Sequence, residues 1–105
     1  MTFLAGKHCV ACDAGTPPLT RQEAEAMMPQ VPGWQFEETK LTRRFKFRDF
    51  VEAMAFVNGV AELAEAEGHH PDIHISWNKV RLELTTHAIK GLSENDFIMA
   101  AKING

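Results

Sequence analysis

The sequence predicts an α+β domain in which a four-stranded antiparallel sheet is covered on one face by helices. Two pairs of short segments alternate apolar and polar residues, which is the pattern of half-buried strands. Between the pairs, a longer segment repeats apolar residues every three or four positions, as a helix with one buried face does. Strands that follow one another in pairs favour antiparallel hairpins, so the predicted element order is α-β-β-α-β-β-α.

The length and charge of the chain narrow its possible function classes. With 105 residues and a formal net charge of −3, it has room for one domain but not for a separate cofactor domain, and a basic nucleic-acid surface is not expected. No apolar run reaches the ~20 residues that span a bilayer. Lys7 and His8 interrupt the segment where a signal peptide would be apolar. We therefore expect a cytoplasmic protein that binds neither nucleic acid nor membrane. Because a core of this size is modest, we also expect a homodimer or homotetramer.

Residues 1–18 are predicted to form a flexible N-terminal arm, and residues 19–105 a single folded domain. The arm contains Cys9 and Cys12 in a Cys-x-x-Cys spacing, with His8 beside them. Such a spacing could be half of a zinc site or a redox pair. There is no second cysteine pair, and the motif precedes a linker with glycine and proline rather than opening a helix after a strand. We therefore interpret this segment as a loosely ordered arm with two thiols.

The folded domain is predicted to begin with a short helix and a strand pair. Thr20 followed by Glu23 forms a capping box, which predicts a helix over residues 21 to about 28. Alternating residues then predict strands over residues 34–36 and 41–47, joined as a hairpin.

Two further helices are predicted from their caps and apolar spacing. Asp49 can cap a helix that ends at Gly68, and its predicted inner face is Phe50, Met54, Val57, Ala61 and Ala64. Ser93 with Asp96 offers another capping pattern. The predicted inner face of this last helix is Phe97, Ile98, Ala101 and Ile103.

The turn between the last two strands sets their register. If Asn78-Lys79 is a two-residue turn, Trp77 faces Val80 and the apolar residues of both strands share one face. That face is predicted to hold Ile73, Ile75, Trp77, Val80, Leu82 and Leu84. The same count pairs His74 with Glu83 on the other face and brings His70 opposite His87.

Three histidines are therefore expected to meet at one corner. His69 and His70 directly follow Gly68, and the hairpin brings His87 beside them. Clustered imidazoles suit acid/base chemistry, because one can donate a proton while its neighbour accepts one. Two alternatives stay open: the histidines could sit on a solvated corner, or they could bind zinc together with His74. Asp96 could serve this site or only cap its helix.

The spacing of these residues resembles that of the pterin-4a-carbinolamine dehydratases. Glu65 is followed by three spacers and by His69-His70-Pro71. Five residues then separate Pro71 from Trp77, nine separate Trp77 from His87, and eight separate His87 from Asp96. The similarity extends from about residue 19 to the last residue, and the arm resembles that of bacterial members.

The resemblance implies a hydro-lyase that needs no metal or other cofactor. Its substrate would be 4a-hydroxytetrahydrobiopterin, the carbinolamine left by aromatic amino-acid hydroxylases such as those acting on phenylalanine. Its product would be quinonoid dihydrobiopterin, in tetrahydrobiopterin recycling. Carried over by position, His69, His70 and His87 would be catalytic, with their individual roles open. The residues implied to bind substrate are Glu65, which would orient the corner, and Pro71, Thr85 and Thr86, which would line the pterin site.

Two other functions stay open beside the enzyme. Some members of the family act as dimerisation partners of a homeodomain transcription factor in animals, so a non-enzymatic dimerisation or binding module is one alternative. A histidine-rich zinc-binding protein is the other.

Overall fold

A computed structural model describes residues 4–10 and 15–105 of the chain. The elements follow the predicted order: α1 (Arg21–Met27), β1 (Gln35–Glu37), β2 (Lys40–Lys46), α2 (Phe50–Glu67), β3 (Asp72–Ser76), β4 (Lys79–Leu84) and α3 (Glu94–Asn104). Short 3₁₀ turns lie at Leu4–Gly6, Met28–Gln30 and His87–Ile89. The predicted helix and strand bounds agree with the observed ones to within about one residue at most ends.

The sheet is antiparallel throughout, with the strand order β1-β2-β4-β3. Along β4, Val80, Leu82 and Leu84 are buried while the residues between them are partly exposed, because successive side chains alternate between the two faces. Helices α2 and α3 both contact β4, and α3 also contacts β2. The predicted α+β fold, with helices covering one face of a four-stranded sheet, is confirmed.

The predicted register of the last hairpin is wrong by two residues. Ser76 pairs with Lys79, so the turn consists of Trp77 and Asn78 rather than of Asn78 and Lys79. Contacts with the end of β2 hold the turn there: the Asn78 side chain donates to the Phe47 carbonyl at 2.9 Å, and the Phe47 N–H donates to the Asn78 carbonyl at 2.8 Å. Because the shift is an even number, the apolar residues of β3 and β4 still share one face.

The prediction that Trp77 lies on the apolar face is wrong. Trp77 lies in the turn with a φ of 51° and is 65% exposed. The same shift pairs His74 with Arg81 rather than with Glu83. His74 Nε2 nevertheless lies 3.4 Å from a Glu83 carboxylate oxygen, because side chains on diagonal positions of one face are within reach of each other.

Helix α2 has the predicted ends, but part of its predicted inner face is wrong. The Asp49 carboxylate accepts the Glu52 N–H at 2.9 Å, and Gly68 ends the helix with a φ of 67°. The buried residues are Ala53, Val57, Val60 and Ala64. Of the predicted face, Phe50 and Ala61 are exposed instead.

An aromatic cluster accounts for the difference between the predicted and the observed buried face of α2. The Phe56 ring lies 4.6 Å from the Phe45 ring and 5.0 Å from the Phe47 ring, measured between centroids. Small apolar residues occupy most sides of α2, so the helical period alone does not select the buried face. Contact with the two β2 phenylalanines selects it.

Helix α3 occupies the centre of the domain. Its residues Asn95–Ala101 are all buried, because α2, the sheet and residues 4–10 of the arm surround it. Leu4, in the arm, is only 4% exposed, a packing that the composition of the arm did not predict. The domain boundary at residue 18 and the flexibility of the arm stay predictions, and Cys12 lies outside the described residues.

Candidate active site

The predicted histidines lie around a pocket where α2 and β4 both end. Gly68 adopts the left-handed conformation that terminates α2, so His69 and His70 follow at the corner. His87 begins the 3₁₀ turn after β4. The pocket is open to solvent and has a volume of about 570 Å³. Five of the predicted site residues line it: His69, His70, Thr85, Thr86 and His87.

His69 is held by a buried carboxylate. Its Nε2 lies 2.7 Å from Asp96 Oδ1, and the two side chains are 13% and 0% exposed. An ionised carboxylate can only accept, so the His69 Nε2–H donates and Nδ1 is left as the ring nitrogen that can take up or release a proton.

Asp96 also caps α3, in addition to its contact with His69. Its Oδ2 accepts the Ser93 N–H at 2.9 Å and the Thr86 hydroxyl at 2.8 Å. The carboxylate therefore joins the start of α3, the end of β4 and His69 in one hydrogen-bonded group. This fixes both the position and the tautomer of His69.

His70 is in a different environment from its neighbour. Its Nε2 lies 2.5 Å from Glu65 Oε2, with side chains that are 58% and 79% exposed. A contact as exposed as this one stabilises little, because water competes for both groups. The corner therefore presents one shielded and one solvated imidazole.

The remaining predicted residues are placed unequally. His87 is exposed, whereas the Thr86 hydroxyl is occupied within the protein by Asp96 and by Ser93 Oγ at 2.8 Å. The Thr85 hydroxyl donates to the Thr39 carbonyl at 2.8 Å. Glu65 and Pro71 are not among the described residues that line the pocket, and their substrate-binding role stays a prediction.

Sequence reasoning missed several residues of the pocket wall, among them Cys9, Val10, Glu67 and Asn95. The Glu67 carboxylate accepts the Cys9 N–H at 2.8 Å and lies 3.0 Å from His8 Nδ1. These two hydrogen bonds lower the pKa of Glu67 below its usual value. The position of Glu67 between Glu65 and His69 was the available signal, but nothing in the sequence indicated that the arm would reach it.

Another depression lies away from the histidine corner. It has a volume of about 430 Å³ and is formed by β2, β3 and β4, with Arg44, His74 and Arg81 among its walls. None of the predicted catalytic residues lies there. The histidine pocket is the better candidate because acid/base groups converge in it.

The described residues contain neither a group of metal-binding side chains nor a membrane-spanning helix. Within residues 4–10 and 15–105, no three His, Cys, Asp or Glu side chains are grouped so that they could hold a metal ion. The zinc alternative thus has no ligand set in that part of the chain. In the same residues, no helix combines the length and the apolar character needed to cross a membrane.

Comparison with known proteins gives a consistent family. A profile described as pterin 4 alpha carbinolamine dehydratase matches residues 17–105. A Methylococcus capsulatus protein provisionally named pterin-4-alpha-carbinolamine dehydratase is 53% identical over 103 residues, covering 96% of this chain and 90% of that protein. A Rubrobacter xylanophilus protein with the same name is 49% identical over 105 residues, covering 99% and 98%.

Solved structures agree in fold. A Brucella melitensis structure titled transcriptional coactivator/pterin dehydratase has a TM-score of 0.78 at 37% identity, covering 83% of this chain and 95% of that one. A pterin dehydratase-like protein identified as a RuBisCO assembly factor of the alpha-carboxysome has a TM-score of 0.57 at 28% identity, covering 68% and 82%.

Proposed function

Because this chain belongs to the pterin 4 alpha carbinolamine dehydratase family, we propose that it converts 4a-hydroxytetrahydrobiopterin to quinonoid dihydrobiopterin by histidine acid/base catalysis. Its relatives are named as dehydratases, and the chain is an enzyme of the hydro-lyase class. The observation that carries the proposal is that His69, His70 and His87 line one pocket, with Asp96 bound to His69.

The reaction requires two proton transfers and no redox step. The C4a–O bond breaks and the hydroxyl leaves with an added proton as water. The proton on N5 is lost, and its electron pair forms the C4a=N5 double bond. Such a reaction needs an acid near the oxygen and a base near the nitrogen, and imidazoles can supply both near neutral pH.

Asp96 differentiates the histidines in this scheme. A buried carboxylate stabilises positive charge on the imidazole that it binds, which suits His69 to carry the proton that is delivered to the leaving hydroxyl. His87 is exposed and can pass the proton that it takes from N5 to water. His70, exposed and paired with Glu65, would contact the substrate beside them.

A coupled assay tests the proposal. The carbinolamine is generated by a phenylalanine hydroxylase, and its decay is followed with and without this protein. We expect acceleration, and we expect His69→Ala, His70→Ala and His87→Ala each to lower the rate about 10²-fold or more. The matched control is His74→Ala, on the open sheet face and 51% exposed, which should keep the wild-type rate. No acceleration by the wild-type protein would contradict the proposal.

The finer biological setting is part of the same proposal. The substrate arises when an aromatic amino acid is hydroxylated, so the enzyme would work beside such a hydroxylase in tetrahydrobiopterin recycling. We also propose a cytoplasmic location and a homodimer or homotetramer, since a chain of 105 residues has a small core to bury alone. Equilibrium sedimentation measures the oligomeric state.

A binding module is the second candidate function. It is favoured by the printed descriptions of the two solved structures, one a transcriptional coactivator/pterin dehydratase and the other a RuBisCO assembly factor. A protein that only binds a partner would tolerate His87→Ala with no change beyond stability.

Metal analysis addresses the zinc alternative: we expect less than about a tenth of an equivalent, and a stoichiometric metal would contradict the enzyme mechanism above.

A further inference from the structure

Residues 4–10 of the arm contact the domain at both ends and in the middle. At one end, Leu4 is buried and its N–H donates to Gln30 Oε1 at 3.2 Å. In the middle, Lys7 Nζ lies 2.7 Å from Glu94 Oε1. Lys102 Nζ also donates to the Ala5 carbonyl at 2.9 Å. Contacts of this density along seven residues are typical of a segment that packs as part of the folded domain.

At the other end of this segment, side chains of the domain bind the main-chain groups of Cys9 and Val10 beside the pocket. The Cys9 N–H donates to Glu67 at 2.8 Å. The Asn95 side chain binds both main-chain groups of Val10, accepting its N–H at 3.0 Å and donating to its carbonyl at 2.5 Å. The Glu67 side chain is only 7% exposed, and Asn95 is buried. Neither bond is therefore a loose surface contact.

These bonds position part of the pocket wall and add little to the hydrophobic core. Val10 is 71% exposed, so fixing its main chain adds little buried apolar area. The segment instead forms a wall of the pocket, because Cys9 and Val10 line the same pocket as His69 and His87. The family profile begins at residue 17, so the matched family region assigns this wall no role.

We propose that residues 4–10 form a fixed wall of the substrate pocket, and that Glu67 and Asn95 are positioning residues that hold it in place. The proposal rests on the dehydratase function above. A flat bicyclic ring gains affinity from each apolar surface that contacts it, so the wall increases the affinity for the pterin. It carries no proton, and its loss should raise KM with little change in kcat.

Two sets of substitutions test the wall. Cys9→Ala with Val10→Ala removes the side-chain atoms of the wall, and Asn95→Ala releases its main chain. Each should raise the KM for the carbinolamine about tenfold and change kcat less than about threefold. Asn58→Ala, an exposed asparagine of α2, is the matched control and should keep the wild-type KM.

A double-mutant cycle separates the wall from a direct effect of Asn95. If Asn95 acts by holding the wall, Asn95→Ala adds much less than tenfold in the Cys9→Ala/Val10→Ala background. Equal increases in both backgrounds would mean that Asn95 contacts the substrate itself, which overturns its positioning role.

Thiol labelling reports the wall without turnover. Burial and the nearby Glu67 carboxylate raise the pKa of the Cys9 thiol from 9.0 to about 11. In a Cys12→Ser background at pH 8, iodoacetamide should therefore label Cys9 about 100-fold more slowly than an ordinary thiol. Saturating 7,8-dihydrobiopterin should slow it further, and Asn95→Ala should speed it.

The outcomes distinguish this inference from the function on which it rests. If the wild-type protein neither binds 7,8-dihydrobiopterin nor consumes the carbinolamine, the dehydratase function is wrong and the wall's role in it falls as well. If the wild-type protein is active but the variants keep its KM, or if bound pterin leaves Cys9 labelling unchanged, the wall alone is refuted.

Discussion

Replacing Asp96 with Asn should separate the buried carboxylate's catalytic role from its structural role. The side chain has 0% exposure and accepts from His69 at 2.7 Å, from Thr86 at 2.8 Å and from Ser93 at 2.9 Å. Asparagine has the same shape but one acceptor oxygen. If that oxygen keeps Thr86 and Ser93, the amide NH₂ faces His69 Nε2, and the imidazole must move its proton to Nδ1.

The expected losses follow from that geometry. The three charge-assisted hydrogen bonds of the carboxylate become neutral ones, so the free energy of unfolding should fall by about 2 kcal/mol, or about 10 °C in Tm for a chain of this size. The wrong tautomer of His69 should lower kcat about 10²-fold or more.

Urea unfolding and the coupled assay measure the two effects on the same samples at one protein concentration. Asp72→Asn is the matched control, because Asp72 is an exposed residue of β3 and should change neither quantity. A protein with Asp96→Asn that is destabilised but keeps the wild-type kcat would refute a catalytic role for the carboxylate. Unchanged stability would refute the hydrogen-bond geometry.

Three further predictions concern the elements that build the corner. Gly68→Ala should lower the free energy of unfolding by about 1 kcal/mol, because Gly68 has a positive φ of 67°. Gly59→Ala should raise it by about 0.5–1 kcal/mol, because Gly59 lies in the helix interior and an added Cβ meets nothing within 4 Å. Urea titrations in which both variants change alike would contradict this. Glu65→Gln should change stability by less than about 0.5 kcal/mol, since its pair with His70 is exposed, and a larger loss in the same titration would show a buried role. The pKa of Glu67 is lowered from 4.5, mainly by the Cys9 N–H, so its contribution is present above pH 4.5 and is lost as the pH falls through the lowered pKa. Amide hydrogen exchange should show Cys9 losing protection as the Glu67 carboxylate is protonated, and protection that persists after that protonation would argue against this bond.

The convergence of the histidines could be anticipated even though the hairpin register was wrong. His69 and His70 follow a helix end that Gly68 defines within one residue, and His87 lies just past the end of β4. Both positions lie beyond the paired part of the hairpin, so a slip of two residues moves neither group away from the corner. An odd slip would have reversed the faces of β3 and made the apolar pattern inconsistent.

The turn itself could not be located from local signals. Asn78-Lys79 matched a two-residue turn, but the Asn78 side chain and main chain are both bound to Phe47. Those bonds require β2 to be in place beside β4, and Phe47 is 31 residues away along the chain. The buried face of α2 was missed for the same reason, since Phe45 and Phe47 select it through Phe56.

The sequence by itself determined the features whose causes lie within a few residues of each other. The Thr20 and Asp49 caps, the left-handed Gly68 and the alternation in β4 each depend on groups no more than about four positions apart, and they placed the three histidines at one corner. Tertiary structure alone decided which carboxylate holds His69 and what forms the rest of the pocket wall. Asp96 is 27 residues from His69 and Val10 is 85 residues from Asn95, so these contacts exist only after the helices and the sheet have packed.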